Sequence, residues 1–368
     1  MTANTSRQHP ADGEQSTTEL LSRTARDLPT GRHEFHKERL MAQIHDMQQE
    51  ERTAAPAPAR TRRLRIPRPA IALPVTAVAL AAAVVAGVWQ SGAGTGGVRD
   101  SGVATGPALT TRIGAASSEG VPRLLGEISL AAADVSHPEV KPGQFVYIES
   151  KAADTFVKTV DDKSSLASHA LHTRQVWESP DGTEGWLIDP AVNDSPEGET
   201  LSLPDEQGNT PKAHLNAPSY DYLTKLTTDP AALLAKIYKE TEGMGNSPDQ
   251  QAFTTIGDLL GESYPPAELY PALFKAAAKI PGVVVVDDAV DAAGRHGVAV
   301  ARLDETSGQR EEWIFDRETH VFLGQRSVQV READGADALI TPGTVLYTSA
   351  VMQRAIVDEM KQTPAQAG

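Results

Sequence analysis

The stretch Val283 to Val330 reads VVVVDDAVDAAGRHGVAVARLDETSGQREEWIFDRETHVFLGQRSVQV and decides the fold class of the chain. It contains four runs rich in β-branched and aromatic residues: Val283 to Asp287, Gly297 to Leu303, Glu311 to Asp316 and Val321 to Val330. Turns rich in Gly or Asp separate them. Connections this short join neighbouring strands of an antiparallel sheet, so the stretch predicts an antiparallel meander.

On either side of the meander the pattern changes between helix and strand. Val345 to Val357 predicts a further long strand, and Leu171 to Glu178 with Gly185 to Ile188 predicts a hairpin around Ser-Pro-Asp-Gly. Helical spacing and capping residues predict helices from Asp229-Pro230, from Pro248 and from Pro266. We therefore predict an α+β domain over residues 121–358, in which helices cover one face of an antiparallel curved sheet.

Far upstream, the stretch Ala70 to Trp89 (AIALPVTAVALAAAVVAGVW) contains no charged residue. Twenty helical residues rise about 30 Å, which matches the hydrocarbon thickness of a bilayer. Trp89 ends the stretch where a membrane interface favours tryptophan. We predict a transmembrane helix here, with a buried Ala-rich helix or a cleaved signal peptide as the alternatives.

Arginines before this stretch predict its orientation. Arg60, Arg62, Arg63, Arg65 and Arg68 precede it with no acid among them, and positive residues beside a span stay in the cytoplasm. Residues 1–69 are then a helical cytoplasmic arm with a basic linker, residues 90–120 a flexible tether, and residues 359–368 a disordered tail. The predicted location is the plasma membrane, with the C-terminal domain extracellular.

The charge distribution excludes nucleic acid as a partner of the large domain. The whole chain carries a formal net charge of -15, although residues 1–69 contain 12 Lys and Arg against 9 Asp and Glu. The acidic excess therefore lies after the apolar stretch, and phosphate binding needs the opposite sign. The expected partners are the membrane and, for the arm, a cytoplasmic protein.

Patterns that would indicate catalysis or metal binding are weak. The chain has no cysteine, which excludes a thiol nucleophile, a disulfide and a cysteine-based zinc site. His33 and His36 lack further ligands, and the acids Asp287, Asp288 and Asp291 lack the closing Glu of a calcium loop. No G-x-S-x-G motif occurs. We predict no catalytic residue, no metal and no cofactor.

Two segments together resemble a known family: DLPTGRHEFHKERLM at Asp27 to Met41, and Lys279 to Arg326. They are similar to uncharacterised actinobacterial single-pass membrane proteins, many of them associated with extracytoplasmic-function sigma factors. The resemblance supplies no catalytic residues, and the cysteine-free arm departs from zinc-containing anti-sigma domains. The motif residues that carry the resemblance are Pro281, Gly282, Asp291, Gly294, Arg295, Phe315, Asp316 and Thr319.

The layout predicts a membrane-anchored, non-enzymatic protein that senses or binds something outside the membrane, with a role in envelope signalling. The alternative is an extracytoplasmic module that binds lipid or another apolar ligand. It rests on a loose analogy with the half-barrel of periplasmic lipoprotein carriers, which have a similar order of sheet and helices. An envelope hydrolase is the third candidate.

Overall fold

The computed structural model describes residues 103–135, 137–160, 163–193, 195–201 and 212–364. The predicted arm, the topology residues Arg62, Arg63, Arg65 and Arg68, and the apolar stretch ending at Trp89 lie outside these residues. Within them, no helix combines the length and the hydrophobicity that crossing a membrane requires.

The described residues form an α+β fold. Its helices are α1 (Val121–Asp134), α2 (Tyr220–Leu223), α3 (Pro230–Glu240), α4 (Pro248–Glu262) and α5 (Leu269–Ala277). The first strands are β1 (Thr105–Pro107), β2 (Ala116–Ser117), β3 (Phe145–Val160), β4 (Lys163–His169), β5 (His172–Glu178), β6 (Gly185–Ile188) and β7 (Glu199–Thr200). After the helices follow β8 (Val283–Val290), β9 (His296–Leu303), β10 (Gln309–Phe315), β11 (Phe322–Gln329) and β12 (Val345–Val357).

These strands make a curved antiparallel sheet in the order β2-β8-β9-β10-β11-β12-β3-β5-β6-β7. Strand β4 folds back on the end of β3 and also pairs with β1. The predicted meander is confirmed, because β8 to β12 are successive neighbours. The predicted hairpin is confirmed as well: β5 pairs with β6, and Gly182 adopts φ 75° in the turn between them.

The sequence did not predict the β3–β4 hairpin. Strand β3 continues to Val160, but its last residues and the first residues of β4 are exposed or half-buried and mostly polar. Without a buried face, the alternation that signals a strand is lost. The predicted capping of α3 is confirmed, since the Asp229 side chain accepts a hydrogen bond from the Ala232 amide at 2.7 Å.

Helices α1, α3, α4 and α5 fill the inner face of the sheet. They share one large apolar core with strands β8, β9 and β10. At its centre the Phe253 ring of α4 stacks on the Trp313 ring of β10, with ring centroids 3.8 Å apart and planes 9° from parallel. Both side chains are fully buried, so the interior is filled by the protein itself.

A strap formed by residues 103–117 crosses the outer face of the sheet. Its β1 pairs with β4, the Thr111 amide donates to the Gly343 carbonyl at 2.8 Å, and its β2 pairs with β8. We predicted residues 90–120 as a flexible tether, whereas from residue 103 onward the chain is bound to the domain. The pattern of its sequence gave no signal because most strap side chains are exposed or half-buried.

The strap covers a buried ion triad. Glu312 accepts hydrogen bonds from Arg310 Nε and Arg326 Nε, each at 2.7 Å, and its side chain is fully buried. The strap completes the triad, because the Gly114 carbonyl accepts from Arg310 at 3.0 Å and the Thr111 hydroxyl accepts from Arg326 at 3.2 Å. Buried guanidinium groups need all these acceptors, so the triad orders the strap.

The start of the predicted disordered tail also contacts the domain. Trp177 donates its indole N–H to the Gln362 carbonyl at 2.7 Å. The Gln362 side chain in turn accepts from the amides of Asp358 and Glu359, at 3.1 Å each. The described residues up to 364 are therefore attached to the domain through Trp177.

Gly257 determines how closely α4 approaches the sheet. A Cβ at Gly257 would overlap Trp313 Nε1 and lie 2.9 Å from Glu311 Oε1. We expect Gly257→Ala to lower the free energy of unfolding by about 1–3 kcal/mol, because the helix must move away from the sheet. Urea-induced unfolding followed by tryptophan fluorescence measures this change.

Gly126→Ala is the matched control, because Gly126 lies in α1 and a Cβ there meets no atom within 4 Å. This substitution should leave stability unchanged or raise it by up to about 1 kcal/mol, through the higher helix propensity of alanine. Equal effects of the two substitutions would show that Gly257 is not a close-contact position.

Candidate functional site

Helix α4 carries a polar stripe on the side that faces the sheet. The stripe consists of residues at every fourth position: Gln250, Thr254, Asp258 and Glu262. Residues four apart share one face of a helix, so the four side chains lie in a row. The adjoining face is apolar: Phe253 stacks on Trp313 of the sheet, and Ile256 and Leu260 pack in the helical core.

The N-terminal half of the stripe binds the buried carboxylate of Glu311 on β10. Thr254 donates to Glu311 Oε2 at 2.6 Å, Gln250 to the same oxygen at 3.1 Å, and Trp313 to Oε1 at 3.2 Å. Arg302 extends the network by donating to Gln250 at 2.7 Å. Burial raises the pKa of Glu311, and the three donors offset only part of that rise.

The C-terminal half of the stripe opens onto a narrow cleft. Glu178 of β5 faces Asp258 and Glu262 there, and we call the space between them the acidic cleft. Its two adjoining parts share Glu178, Pro218, Glu262 and Ser263, and each has room for about one water molecule. Tyr220 and Tyr264 line its apolar end. The cleft is therefore narrow and acidic.

All three carboxyls of the acidic cleft hold protons more tightly than usual. Burial raises the pKa of Glu178 to about 8. Burial also raises the pKa of Asp258 well above its ordinary value, with further rises from the charges of Glu262 and Glu311. Within the described residues, neither Glu178 nor Asp258 receives a hydrogen bond that would stabilise its ionised form, and this lack of donors agrees with the direction of both shifts.

Glu262 differs from Glu178 and Asp258 because a row of charged side chains extends to it. His172 Nε2 lies 3.1 Å from Asp189, Asp189 lies 3.5 Å from Arg174 Nε, and Arg174 lies 4.0 Å from Glu262 Oε2. Burial raises the pKa of Glu262, Arg174 lowers it and Asp189 raises it, with a net rise. Solvent reaches 19% of the Glu262 side chain through the cleft.

His172 has no ring nitrogen available as a catalytic base. Its Nδ1 lies 3.0 Å from the Ala170 carbonyl, and its Nε2 faces Asp189. Burial lowers the pKa of His172, but the hydrogen bond and charge of Asp189 outweigh burial and the net shift is upward. The arrangement favours the protonated form of the imidazole, which then forms an ion pair with Asp189. Its chemistry is therefore proton binding and charge balance.

The motif residues on either side of β8 build turns and are not among the residues that line the cleft. Gly282 with φ 81° follows Pro281, whose carbonyl accepts from Arg302 at 2.9 Å. Asp291 accepts from the Arg295 amide and side chain at 2.9 and 2.6 Å, and Gly294 adopts φ 79° between them. These residues fix the connections on either side of β8.

The remaining motif residues also hold connections in place or fill the core. Arg295 donates to the carbonyls of Leu323 and Val351, at 2.8 and 3.0 Å. Asp316 accepts from the amide and hydroxyl of Thr319, each at 2.8 Å, and caps the turn after β10. Phe315 is fully buried in the core. The structure assigns a folding role to each of them.

No group of three His, Asp or Glu side chains within the described ranges is placed to hold a metal ion. The acids considered as a cation site, Asp287, Asp288 and Asp291, do not converge. Asp291 faces Arg295, while Asp288 faces His296 at 3.2 Å. His33 and His36 lie outside the described residues. The acidic cleft is thus the candidate site that the structure offers.

Sequence reasoning missed the acidic cleft because it read α4 for its apolar residues alone. The spacing of Gln250, Thr254, Asp258 and Glu262 was a readable signal, since two acids on the same helical row demand a polar environment. Glu178 gave no such signal, because only the pairing of β5 beside β3 turns it toward α4.

The chain matches no family model and no curated protein sequence. The resemblance to actinobacterial single-pass membrane proteins therefore stays a prediction.

The Thr254 hydroxyl makes the shortest of the hydrogen bonds to Glu311. Removing this hydroxyl tests how much the polar stripe contributes to stability. We expect Thr254→Val to lower the free energy of unfolding by about 2 kcal/mol, because a buried carboxylate loses a donor. Chemical unfolding at neutral pH measures the change.

Thr241→Val is the control, because the Thr241 hydroxyl of the α3 cap is also buried but donates at 2.8 Å to a neutral carbonyl, that of Ile237. Its loss should cost about 1 kcal/mol. A Thr254→Val effect no larger than that of the control would contradict a special role for the Glu311 network.

Proposed function

We propose that this protein is a single-pass, membrane-anchored, non-enzymatic sensing protein. In this proposal residues 70–89 cross the plasma membrane, the domain of residues 121–358 lies outside, and residues 1–69 contact a cytoplasmic protein. The sensing element is helix α4 together with the acidic cleft.

The observation that carries the sensing role is the polar stripe of α4. A helix that covers a sheet normally does so through an apolar face, and such an interface changes little with conditions. Here the C-terminal half of the stripe carries Asp258 and Glu262, which face Glu178 without hydrogen-bond donors in the described residues. The interface energy therefore depends on what binds to those carboxyls, which is the property that a sensing domain needs.

The alternative of an apolar-ligand carrier draws support from the curved sheet with helices on one face, an arrangement similar to the half-barrel of lipoprotein carriers. The polar stripe argues against it. Apolar cargo between α4 and the sheet would displace the stacked rings of Phe253 and Trp313 and would meet Glu311 and Arg302. Burying these groups against hydrocarbon would be costly.

The absence of cysteine makes the topology directly testable. Single cysteines introduced as Glu242→Cys, at an exposed position of the domain, and as Ser16→Cys, in the arm, report which side of the membrane each part occupies. In intact bacterial cells, a membrane-impermeant maleimide should label Glu242→Cys and spare Ser16→Cys.

Lysed cells provide the control, since both variants should then be labelled, and wild type should be labelled under neither condition. Labelling of Ser16→Cys in intact cells, or recovery of the full chain in the soluble fraction without detergent, would refute the proposed topology. Lipid that co-purifies in stoichiometric amount would favour the carrier.

A further inference from the structure

We propose that the acidic cleft is a proton-controlled joint: it stays closed while the Glu178 carboxyl carries a proton and widens when that carboxyl ionises beside Asp258 and Glu262. This inference rests on the proposed sensing function and names the proton as the ligand that the domain reads.

The size of the cleft supplies the first step of the argument. An ionised carboxylate offers about four acceptor positions, whereas each part of the cleft has room for about one water molecule. In the described residues no donor reaches Glu178. Glu178 is half-buried, and the cleft holds too little water to hydrate its ionised form fully. Full hydration needs more water, and separation of the walls admits it.

The walls that can separate are the rim and the end of α4. The rim is the segment from Leu215 to Leu223, which includes Pro218 and the single turn of α2. Asp258 and Glu262 lie one turn apart on α4, so their ionised forms repel each other. Ionisation of the cleft therefore weakens the contact between the rim, α4 and β5.

The groups around Glu178 do not neutralise it. Within the part of the chain that the structure describes, Arg174 of β5 is the one cation that contacts the cleft acids. It lies closer to Asp189, at 3.5 Å, than to Glu262, at 4.0 Å. Arg354 of β12 donates instead to the carbonyls of Leu260 and Gly261 at the end of α4. The titratable and charged groups that line the cleft or act on its acids are Asp258, Glu262, Glu311, Arg174, Asp189, Tyr220, Tyr264, Tyr270, Tyr347 and Arg354.

The sign of the response follows from the raised pKa of Glu178. The raised pKa lets the closed cleft hold the proton up to about pH 8, whereas a hydrated carboxyl loses it near its ordinary pKa of 4.5. Between these values closure takes up a proton, so rising pH opposes closure by up to about tenfold per pH unit. Above about pH 8 the carboxyl is ionised in both forms and the dependence on Glu178 ends.

Hydrogen exchange of the full chain in detergent micelles tests the joint. Peptides covering residues 215–226 and 256–264 report the rim and the end of α4. After correction for the intrinsic effect of pH on exchange, wild type should exchange about tenfold faster in these peptides at pH 9 than at pH 6. This factor is smaller than the maximum of about tenfold per pH unit, because the closed cleft is partly solvated.

Glu178→Gln should reduce this acceleration, because this side chain can no longer ionise, whereas Asp258 and Glu262 still can. Glu242→Gln, at an exposed position outside the cleft, should behave like wild type. If circular dichroism shows that Glu178→Gln is unfolded, Glu178→Met serves as a second uncharged variant of similar length and should give the same result.

Three results would overturn the inference: equal exchange of wild type at both pH values, full acceleration in a folded uncharged variant, or a wild-type midpoint below about pH 6. Each leaves the membrane topology untouched, because cysteine labelling measures that separately. A failed topology with an intact pH response would conversely refute the anchored sensor and keep the joint.

Discussion

The hydrogen bonds that Thr254 and Gln250 donate to the Glu311 carboxylate hold helix α4 against the sheet. Apolar packing is not directional and would allow a helix to slide, whereas two donors from α4 to one buried carboxylate fix its position along the strand. Trp313 of the same strand orients that carboxylate. The close approach at Gly257 is part of the same contact. The position of α4 in turn defines the acidic cleft, since Asp258 and Glu262 follow Thr254 along one helical row.

Strand β10 joins this inner network to the outer one. Glu311 and Glu312 are consecutive, and successive residues of a strand point to opposite faces. Glu311 therefore meets α4, while Glu312 meets Arg310 and Arg326 beneath the strap. Each carboxylate is buried with its own donors. Two adjacent buried acids are costly alone, and here each one specifies the placement of a different covering element.

The sheet could be predicted from the sequence where its turns carry distinctive residues. Asp291, Gly294 and Asp316 mark the turns of the meander, and the structure uses each of them in that way. The β3–β4 hairpin could not be predicted, because its exposed, polar strand ends show no alternation. The strap could not be predicted, because its partners lie far along the chain. For the same reason, only half of the acidic cleft was readable: the row on α4 is local, whereas Glu178 joins it through strand pairing.

The strap also determines where the domain can be cut. A boundary drawn from composition alone falls near Val121, where the first helix begins. A fragment starting there would lack Thr111 and Gly114, so Arg310 and Arg326 would lose acceptors and the apolar residues beneath them would meet water. The smallest autonomous folding unit therefore starts upstream of Leu109, inside a stretch whose glycines and threonines look like spacer sequence.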